Sequence, residues 1–367
     1  MSDLITLADI RAAAARIAPV AVRTPLVRLD PARCGDQLRA FGITQELPAI
    51  YLKDESAQPI GSFKLRGAYN KIAQLSPDQL AKGVITYSSG NHAQGVAFAA
   101  RALGAKAVIV MPSNTPPIKL QATKTLGAEI VLVGPASTER KARAESLAAE
   151  HGYTIIPPYD DPAIIAGQAT CGLEILEQLR DLNLTAELIL SPVSGGGLLS
   201  GVSTAVKLYA NEGSGPSVQD PGNSRPLAPE PWTLNPRIYG CEPAIAPDAK
   251  RSFDTRILTE LPAADTTRTI CDGLRTQSLG KLNFEHILQY VDGIVSVSED
   301  EIRLATRLIF TCTSIVAEPS GAITLAAALF HQRELPAAKT IVAIVSGGNL
   351  DPSLRAELES ETAAAPA

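Results

Sequence analysis

The chain has 367 residues, of which 45% are hydrophobic and 19% charged, and its formal net charge is −5. This length allows one large or two smaller domains with a sizeable core, and the composition is that of an ordinary globular protein. The negative balance, without a tract rich in Lys or Arg, argues against a nucleic-acid partner. The five cysteines are scattered and form no CxxC pair, which is typical of reduced core residues in a cytosolic protein.

The start of the chain predicts neither an export signal nor a membrane anchor. Residues 1–4 carry no basic region, and no apolar run reaches transmembrane length. Within residues 6–22, apolar side chains recur at the spacing of one helix face. We therefore expect a packed opening helix, a cytoplasmic location and no membrane partner.

Short apolar segments rich in β-branched residues alternate with helix-period segments through most of the chain. We predict strands, buried on both faces, at residues 84–87, 107–111, 130–133, 188–190, 238–241, 294–297 and 340–345. We predict the intervening helices at residues 93–103, 137–151, 164–182, 299–312 and 321–330. This alternation is typical of βαβ units and predicts an α/β protein with an open, mainly parallel sheet.

Two segments depart from this alternation. Residues 211–236 are dense in Pro, Gly, Ser and Asn, which predicts an exposed loop or flexible insertion. Residues 351–367 become acidic and alanine-rich toward their end and are predicted to form a frayed tail. Neither segment carries residues with evident chemistry.

The segment GSFKLRGA, residues 61–68, places Lys64 directly after an aromatic residue and between two glycines. A lysine amine can bond covalently to a carbonyl group, such as the aldehyde of pyridoxal phosphate. That chemistry needs a neutral amine, which partial burial beside Phe63 favours. Because a lysine near a turn is usually a solvated surface charge, the segment gains its significance from the motifs that accompany it.

A polar turn, SSGNHAQG at residues 88–95, follows the predicted strand 84–87 and opens a helix. Open α/β sheets bind ligands at the carboxyl ends of their strands. Backbone donors at a helix start, with Ser and Asn side chains, suit an anionic group such as an amino-acid carboxylate. A helix N-cap would explain one or two of these residues but not five in succession, so we predict a site here.

A glycine-rich turn, SGGGL at residues 194–198, follows the predicted strand 188–190 and also opens a helix. Consecutive glycines let backbone amides approach a phosphate without interference from Cβ, and the helix dipole adds to the attraction. The turn is neither a Walker loop nor a complete GxGxxG motif. Close packing of the helix on the strand is the alternative explanation.

Two single residues near the predicted strand and helix ends are less specific. Ser346, at the end of the strand 340–345, could meet a ring nitrogen in the cleft or simply belong to a C-terminal turn. Glu318 precedes a late helix, where it is either a buried group facing a cofactor or an acid near a helix start.

Two carboxylates follow the predicted strand 238–241. Glu242 and Asp248, with the carbonyl oxygen of Ala246 between them, could bind Mg²⁺, Mn²⁺ or Ca²⁺, which all prefer oxygen ligands. Two acids on a loop are more often solvated surface residues. The spacing alone therefore leaves both interpretations open.

Together and in this order, the motifs resemble the pyridoxal-phosphate enzymes of the threonine/serine dehydratase and serine racemase family, which have the tryptophan-synthase β fold. The resemblance spans nearly the whole chain, from Thr24 to Asn349, and Leu65 after the lysine is similar to the dehydratase and racemase branch. It implies two open, mainly parallel sheets flanked by helices, with the active site in the cleft between two domains. The small domain would be residues 83–158, the large domain residues 1–82 and 159–350, and the protein a homodimer.

The resemblance also implies a role for each motif. Lys64 would hold the cofactor aldehyde, Phe63 would pack on the ring, and Ser346 would face the pyridine nitrogen. The remaining cofactor contacts would come from Asn91 on the ring hydroxyl, from Glu318, and from a phosphate cradle of Ser194, Gly195, Gly196, Gly197 and Leu198. The substrate carboxylate would be held by Ser88, Ser89, Asn91 and His92. The cation site of serine racemase-like members matches Glu242, Ala246 and Asp248.

The implied reaction is a β-elimination that converts L-threonine or L-serine into 2-oxobutanoate or pyruvate and ammonia, with Lys64 as the base. Ser89 matches the residue that delivers a proton to the opposite face in racemising relatives, so a serine racemase is an alternative, as is a 3-hydroxyaspartate dehydratase. The non-enzymatic alternatives are a scaffold that retains the cofactor and a nucleotide-binding protein. Because the chain stops soon after Asn349, we expect no C-terminal regulatory domain and no feedback inhibition by isoleucine.

Overall fold

The computed structural model describes residues 4–44, 46–88, 90–115, 117–134, 137–212 and 235–361. Its strands are β1 (Leu26–Arg28), β2 (Ala49–Asp54), β3 (Val84–Tyr87), β4 (Ala107–Pro112), β5 (Glu129–Val133), β6 (Thr154–Ile155), β7 (Leu188–Pro192), β8 (Arg237–Pro243), β9 (Gly293–Val297) and β10 (Thr340–Val345).

The helices begin with α1 (Leu7–Ile17), α2 (Pro31–Ala40), α3 (Lys64–Ile72), α4 (Pro77–Lys82), α5 (Asn91–Ala102), α6 (Pro117–Thr125), α7 (Ser137–His151) and α8 (Pro162–Asp181). They continue with α9 (Gly197–Glu212), α10 (Asp248–Thr255), α11 (Ala263–Thr266), α12 (Lys281–Tyr290), α13 (Glu299–Cys312), α14 (Pro319–Phe330) and α15 (Pro352–Ser360).

Two sheets organise the described residues. One has six strands in the order β1-β2-β10-β7-β8-β9, and the other has four in the order β5-β4-β3-β6. Apart from the antiparallel pair β1–β2, the paired strands run parallel. The predicted α/β fold with two mainly parallel sheets is therefore confirmed. Within each sheet the carboxyl ends of the parallel strands lie along one edge, where ligand sites form.

The sheets bury the β-branched runs that predicted them, with one exception. In β4, β7 and β10 nearly every residue is buried, as expected for strands covered on both faces. The edge strand β5 is half-exposed, so the prediction that it is buried on both faces is wrong. Its place at the end of the small sheet leaves part of it without a covering layer.

A buried ionic network holds the start of α3. The Arg66 guanidinium donates to both carboxylate oxygens of Glu55, at 2.7 and 2.8 Å, and to Glu174 at 2.7 Å. Lys53 Nζ donates to the same Glu174 carboxylate at 2.7 Å. Arg66, Lys53 and Glu55 are completely buried, so these charges are stabilised by one another. The network fixes α3 two residues after Lys64.

The end of the described chain is more ordered than the predicted tail. Residues 352–360 form α15, and Arg303 binds Glu357 and Glu361 across from α13. The prediction of a frayed tail is wrong for this part, because the helix gains those ion pairs. Most of the predicted insertion 211–236 lies outside the described residues. None of the described helices is long and apolar enough to cross a membrane, and the five cysteines are buried free thiols.

Candidate active site

The lysine segment lies against the turn that follows the last strand. Helix α3 begins at Lys64, and the Phe63 N–H donates to the carbonyl oxygen of Ser346 at 3.1 Å. Next to this bond, Ser62 and Gly347 form an isolated antiparallel bridge. Two motifs from opposite ends of the chain, one around Lys64 and one around Ser346, are thereby brought together as predicted.

The Lys64 amine is held at one defined place. Its Nζ donates to the carbonyl oxygen of Pro158 at 2.8 Å and lies 5.1 Å from the centre of the Phe63 ring. Burial lowers the pKa of the Lys64 amine from 10.5 to about 8. A substantial fraction of the amine is therefore neutral slightly above neutral pH, which is the state that attacks a carbonyl group.

The Asn91 side chain is fixed on both sides. Its Nδ2 donates to Glu318 Oε1 at 2.7 Å, and its Oδ1 accepts from Asn349 Nδ2 at 2.7 Å. Asn91 begins α5, which packs closely on α3: a Cβ added at Gly95 would lie 3.2 Å from the Lys64 carbonyl oxygen. The polar turn and the lysine are therefore neighbours.

The other members of the polar turn are placed differently. Ser88 Oγ accepts the Gly90 N–H at 3.4 Å, whereas Ser89 lies outside the described residues. The His92 ring is buried, and its Nε2 bonds to the Ile156 carbonyl oxygen at 3.1 Å, which assigns the proton to Nε2. Burial, and then the Lys64 charge, lower the pKa of His92 to about 3, so the ring is neutral. Any contribution of His92 to anion binding therefore comes from its main-chain N–H in the first turn of α5.

The glycine turn leaves space that side chains would fill. Gly196 has a φ of +97°, which favours glycine. A Cβ at Gly196 would lie 2.8 Å from Asn283 Cβ, and one at Gly195 would lie 2.5 Å from the Tyr159 ring. Because Tyr159 follows Pro158, one short segment contacts both this turn and the Lys64 amine. The turn opens α9, so its N–H groups suit a phosphate.

Three polar side chains complete this region. Ser194 Oγ lies 2.7 Å from Thr276 Oγ1, and Ser346 Oγ donates to the Ser320 carbonyl oxygen at 3.3 Å. The Glu318 carboxyl is buried, and burial, followed by the charge of Asp272, raises its pKa to about 8. The sequence-predicted residues Glu318 and Ser346 thus lie in the same buried region as Asn91.

Sequence reasoning missed Ser62, Pro158 and Tyr159. The Ser62 hydroxyl is completely buried and has no hydrogen-bond partner among the described residues, so a polar atom of a bound molecule would satisfy it. Its position two residues before Lys64 was the available signal. The PPYD run at residues 157–160 follows β6, a strand too short to predict.

The predicted cation ligands share one loop. Glu242 accepts the N–H groups of Ala249 and Lys250 at 3.0 and 2.9 Å, whereas Asp248 Oδ2 is buried without a hydrogen-bond partner in the described chain. Burial raises the pKa of Asp248 to about 7, and burial and the Asp248 charge raise the pKa of Glu242 well above its usual range. No group of three His, Cys, Asp or Glu side chains suited to a metal occurs among the described residues.

An arginine in α7 is the other missed residue. Arg140 Nε is buried and unpaired within the part of the chain described, and burial lowers the pKa of this guanidinium. Helix α7 follows β5, whose carboxyl end lies on the same sheet edge as the polar turn after β3. An unpaired guanidinium near a ligand-binding edge suits a carboxylate.

Comparisons with known proteins give a consistent picture. A family model described as "Pyridoxal-phosphate dependent enzyme" matches residues 17–347. The chain is 38% identical over 354 residues to a catabolic L-threonine dehydratase, TdcB, of Staphylococcus aureus, covering 95% of this chain and 90% of that protein. It is 36% identical over 346 residues to the L-threo-3-hydroxyaspartate ammonia-lyase of Saccharomyces cerevisiae, covering 94% of each.

Solved structures match over similar lengths. A threonine deaminase from the organism abbreviated T.th. is 40% identical with a TM-score of 0.80, covering 95% of this chain and 99% of that one. The serine racemase from Dictyostelium discoideum is 32% identical with a TM-score of 0.76, also covering 95% and 99%. At these identities the similarity extends beyond the fold to the sequence.

Proposed function

Because the chain belongs to the pyridoxal-phosphate-dependent enzyme family, we propose that it is an ammonia-lyase that converts L-threonine or L-serine into 2-oxobutanoate or pyruvate and ammonia. One observation carries the proposal. The amine of Lys64, with its lowered pKa, is bound by Pro158, and the adjacent Tyr159 contacts the glycine turn. The relatives named as threonine dehydratase and threonine deaminase support this reaction class.

The residues present fit pyridoxal phosphate. Lys64 would hold its aldehyde, the turn at residues 194–198 its phosphate, and Asn91, Glu318 and Ser346 the polar atoms of its ring. The support is the glycine cradle and the unpaired Ser62 hydroxyl. When bound, the cofactor supplies the electron sink that allows the Cα–H bond of an amino acid to break.

The protein's own groups would divide the remaining work. The neutral Lys64 amine would take the proton from Cα as general base, because its lowered pKa lies close to the working pH. Ser88, Ser89, Asn91 and the first turn of α5 would hold the substrate carboxylate, with the helix dipole favouring the negative charge. The buried network around Arg66 would keep α3, and so the lysine, in register.

A substrate panel tests the proposal. The purified protein, supplied with pyridoxal phosphate, is given the isomers of threonine, serine and 3-hydroxyaspartate, and both keto acid and product enantiomer are measured. We expect keto acid from L-threonine and L-serine. D-serine formed persistently in excess of pyruvate would instead identify a racemase. Coloured protein that yields no keto acid would indicate a scaffold, and colourless protein that ignores the cofactor would favour a nucleotide-binding protein.

A second candidate substrate is 3-hydroxyaspartate, and Arg140 is the observation that favours it. This substrate carries a second carboxylate, which needs a cationic partner, and the Arg140 guanidinium has a buried Nε that is unpaired in the described chain. The 36% identical relative from Saccharomyces cerevisiae is named for this substrate. A preference for L-threo-3-hydroxyaspartate over L-threonine in the same panel would select this candidate.

We further propose that a divalent cation, Mg²⁺, Mn²⁺ or Ca²⁺, binds Glu242, the Ala246 carbonyl and Asp248. Two adjacent buried carboxylates, one with an oxygen that no described residue pairs, support it, because a cation would neutralise both.

The remaining proposals concern the assembly and location of the protein. The division into a small domain, residues 83–158, and a large one is supported by the strands of the smaller sheet, which all lie between residues 84 and 155. A homodimer and a cytoplasmic location complete the proposal. The dimer follows from the family resemblance, and the location from the chain start and the free cysteines.

A further inference from the structure

Helix α12 begins without a capping side chain of its own. The residue before it, Gly280, has none to offer, and the cap comes instead from Asp160, far away in the sequence. The Asp160 carboxylate accepts the N–H groups of Lys281 at 3.1 Å, Leu282 at 3.0 Å and Asn283 at 3.4 Å. These are the donors that a helix start leaves without intrahelical partners, and a negative charge is favoured there.

Gly280 is needed for the approach of Asp160 and not for its own backbone conformation. Its φ is −66°, which any residue adopts. A Cβ at Gly280, however, would lie 2.5 Å from the Asp160 Cγ, a separation that real Cβ atoms do not show. The glycine and the carboxylate therefore form one complementary contact.

The first turn of α12 in turn holds the glycine turn. The Gly280 N–H and the Asn283 Nδ2 donate to the carbonyl oxygen of Gly195 at 3.0 and 2.9 Å. The Asn283 side chain also fills the space beside Gly196, where an added Cβ would lie 2.8 Å from it. The orientation of the glycine turn thus depends on where α12 begins.

Asp160 also belongs to the segment that binds the lysine. It lies two residues after Pro158, whose carbonyl oxygen accepts from Lys64 Nζ at 2.8 Å. We propose that Asp160 is a positioning residue that fixes the glycine turn relative to the Lys64 amine by capping α12. The inference rests on the proposed function, in which this turn binds the cofactor phosphate.

The test separates phosphate binding from aldehyde binding. Full-length protein freed of cofactor is titrated with pyridoxal phosphate and with pyridoxal, which carries the same aldehyde but no phosphate, and the dissociation constants are measured by fluorescence. In Asp160→Ala we expect affinity for pyridoxal phosphate to fall about tenfold, the effect of losing about 1.4 kcal/mol, and affinity for pyridoxal to change little. Asp160→Asn keeps an oxygen acceptor and should recover most of the loss.

Two further variants keep the test decisive if Asp160→Ala folds poorly. Gly280→Ala retains the carboxylate but displaces it, and should produce the same selective loss. Asp161→Ala is the matched control, because Asp161 caps the neighbouring α8 through Ala163 and Ile164 instead of α12. It should lower the melting temperature without changing the ratio of the two affinities.

The outcomes distinguish this inference from the proposed function beneath it. If wild type prefers pyridoxal phosphate and Asp160→Ala and Gly280→Ala keep that preference, or lose affinity for both ligands equally, the positioning role is refuted and the phosphate site stands. If wild type shows no preference for the phosphorylated ligand, the proposed phosphate site fails and the role of Asp160 fails with it.

Discussion

The side chain of Asn91 donates from Nδ2 to Glu318 Oε1 at 2.7 Å while its Oδ1 accepts from Asn349 at 2.7 Å. The amide therefore joins the start of α5, the start of α14 and the turn after β10, and its orientation is fixed by both neighbours. Since Glu318 is buried with a raised pKa, this contact carries a pH dependence that can be measured.

Glu318→Gln should abolish one component of the pH dependence of stability. Burial raises the pKa of Glu318 from 4.5 to about 8, so the folded protein holds a proton between these values that the unfolded chain has released. The stability that this group contributes is therefore fully present below about pH 4.5 and is lost as the pH rises through 8. The glutamine variant of cofactor-free protein should gain on wild type between pH 6 and 8.5 in urea unfolding.

The control for this prediction is Glu260→Gln, since Glu260 is an exposed glutamate. It should follow wild type at every pH. A Glu318→Gln curve parallel to that of wild type would mean that Glu318 is ionised in the folded protein, and the buried acid would have to be assigned differently.

Glu55→Gln should destabilise the protein strongly. Glu55 accepts two hydrogen bonds from Arg66, and both side chains are completely buried. Removing one partner leaves an uncompensated buried charge, which costs about 3–5 kcal/mol. Glu212→Gln is the matched control, because Glu212 pairs with Arg11 where both side chains are about half exposed, and such pairs contribute about 0–1 kcal/mol. Equal losses of unfolding free energy in the two variants would contradict the account.

Several parts of this fold follow from short-range sequence patterns. Strands β3, β4, β7 and β10 are apolar, β-branched runs, and the site motifs stand directly after such runs, where a parallel sheet collects them. The sequence alone could not reveal β2, because Lys53 and Asp54 make its end look like surface. Lys53 is buried only because Glu174 and Gln178 of α8 compensate it, and these partners are distant in sequence.

The parts of the site that escaped prediction depend on equally distant contacts. Pro158 offers only a main-chain carbonyl to Lys64, which leaves no mark in residue type. The His92 ring bonds to Ile156 on the neighbouring strand segment, although its place in the polar turn had suggested a substrate contact. Arg140 is identifiable only by the absence of a partner for its Nε in the described chain.

Chelation should reveal the proposed cation. Treating wild type with a chelator should lower its melting temperature by several degrees, since an ion at about 100 times its Kd stabilises by about 2.7 kcal/mol. Mg²⁺, Mn²⁺ or Ca²⁺ should restore the original value. Asp248→Asn should remove the response, whereas Asp254→Asn, an exposed change in the same helix α10, should retain it. Identical melting curves with and without chelator would rule the cation out.

Arg140→Ala should discriminate between substrates. If the guanidinium binds a second carboxylate, kcat/KM for threo-3-hydroxyaspartate should fall about 10–100-fold, the effect of losing a charged hydrogen bond, while kcat/KM for threonine changes far less. Arg143→Ala, an exposed position of the same helix, should affect neither. A loss of the same size for both substrates would show that Arg140 supports the fold and does not select the substrate.

The covalent attachment of the cofactor at Lys64 is the central claim, and trapping it is the most direct measurement. The protein is incubated with pyridoxal phosphate, reduced with borohydride, digested and mapped by mass spectrometry. The account predicts a phosphopyridoxyl group on Lys64 and no stoichiometric label in Lys64→Ala. A label on another lysine, with Lys64 unmodified in the wild-type protein, would contradict it.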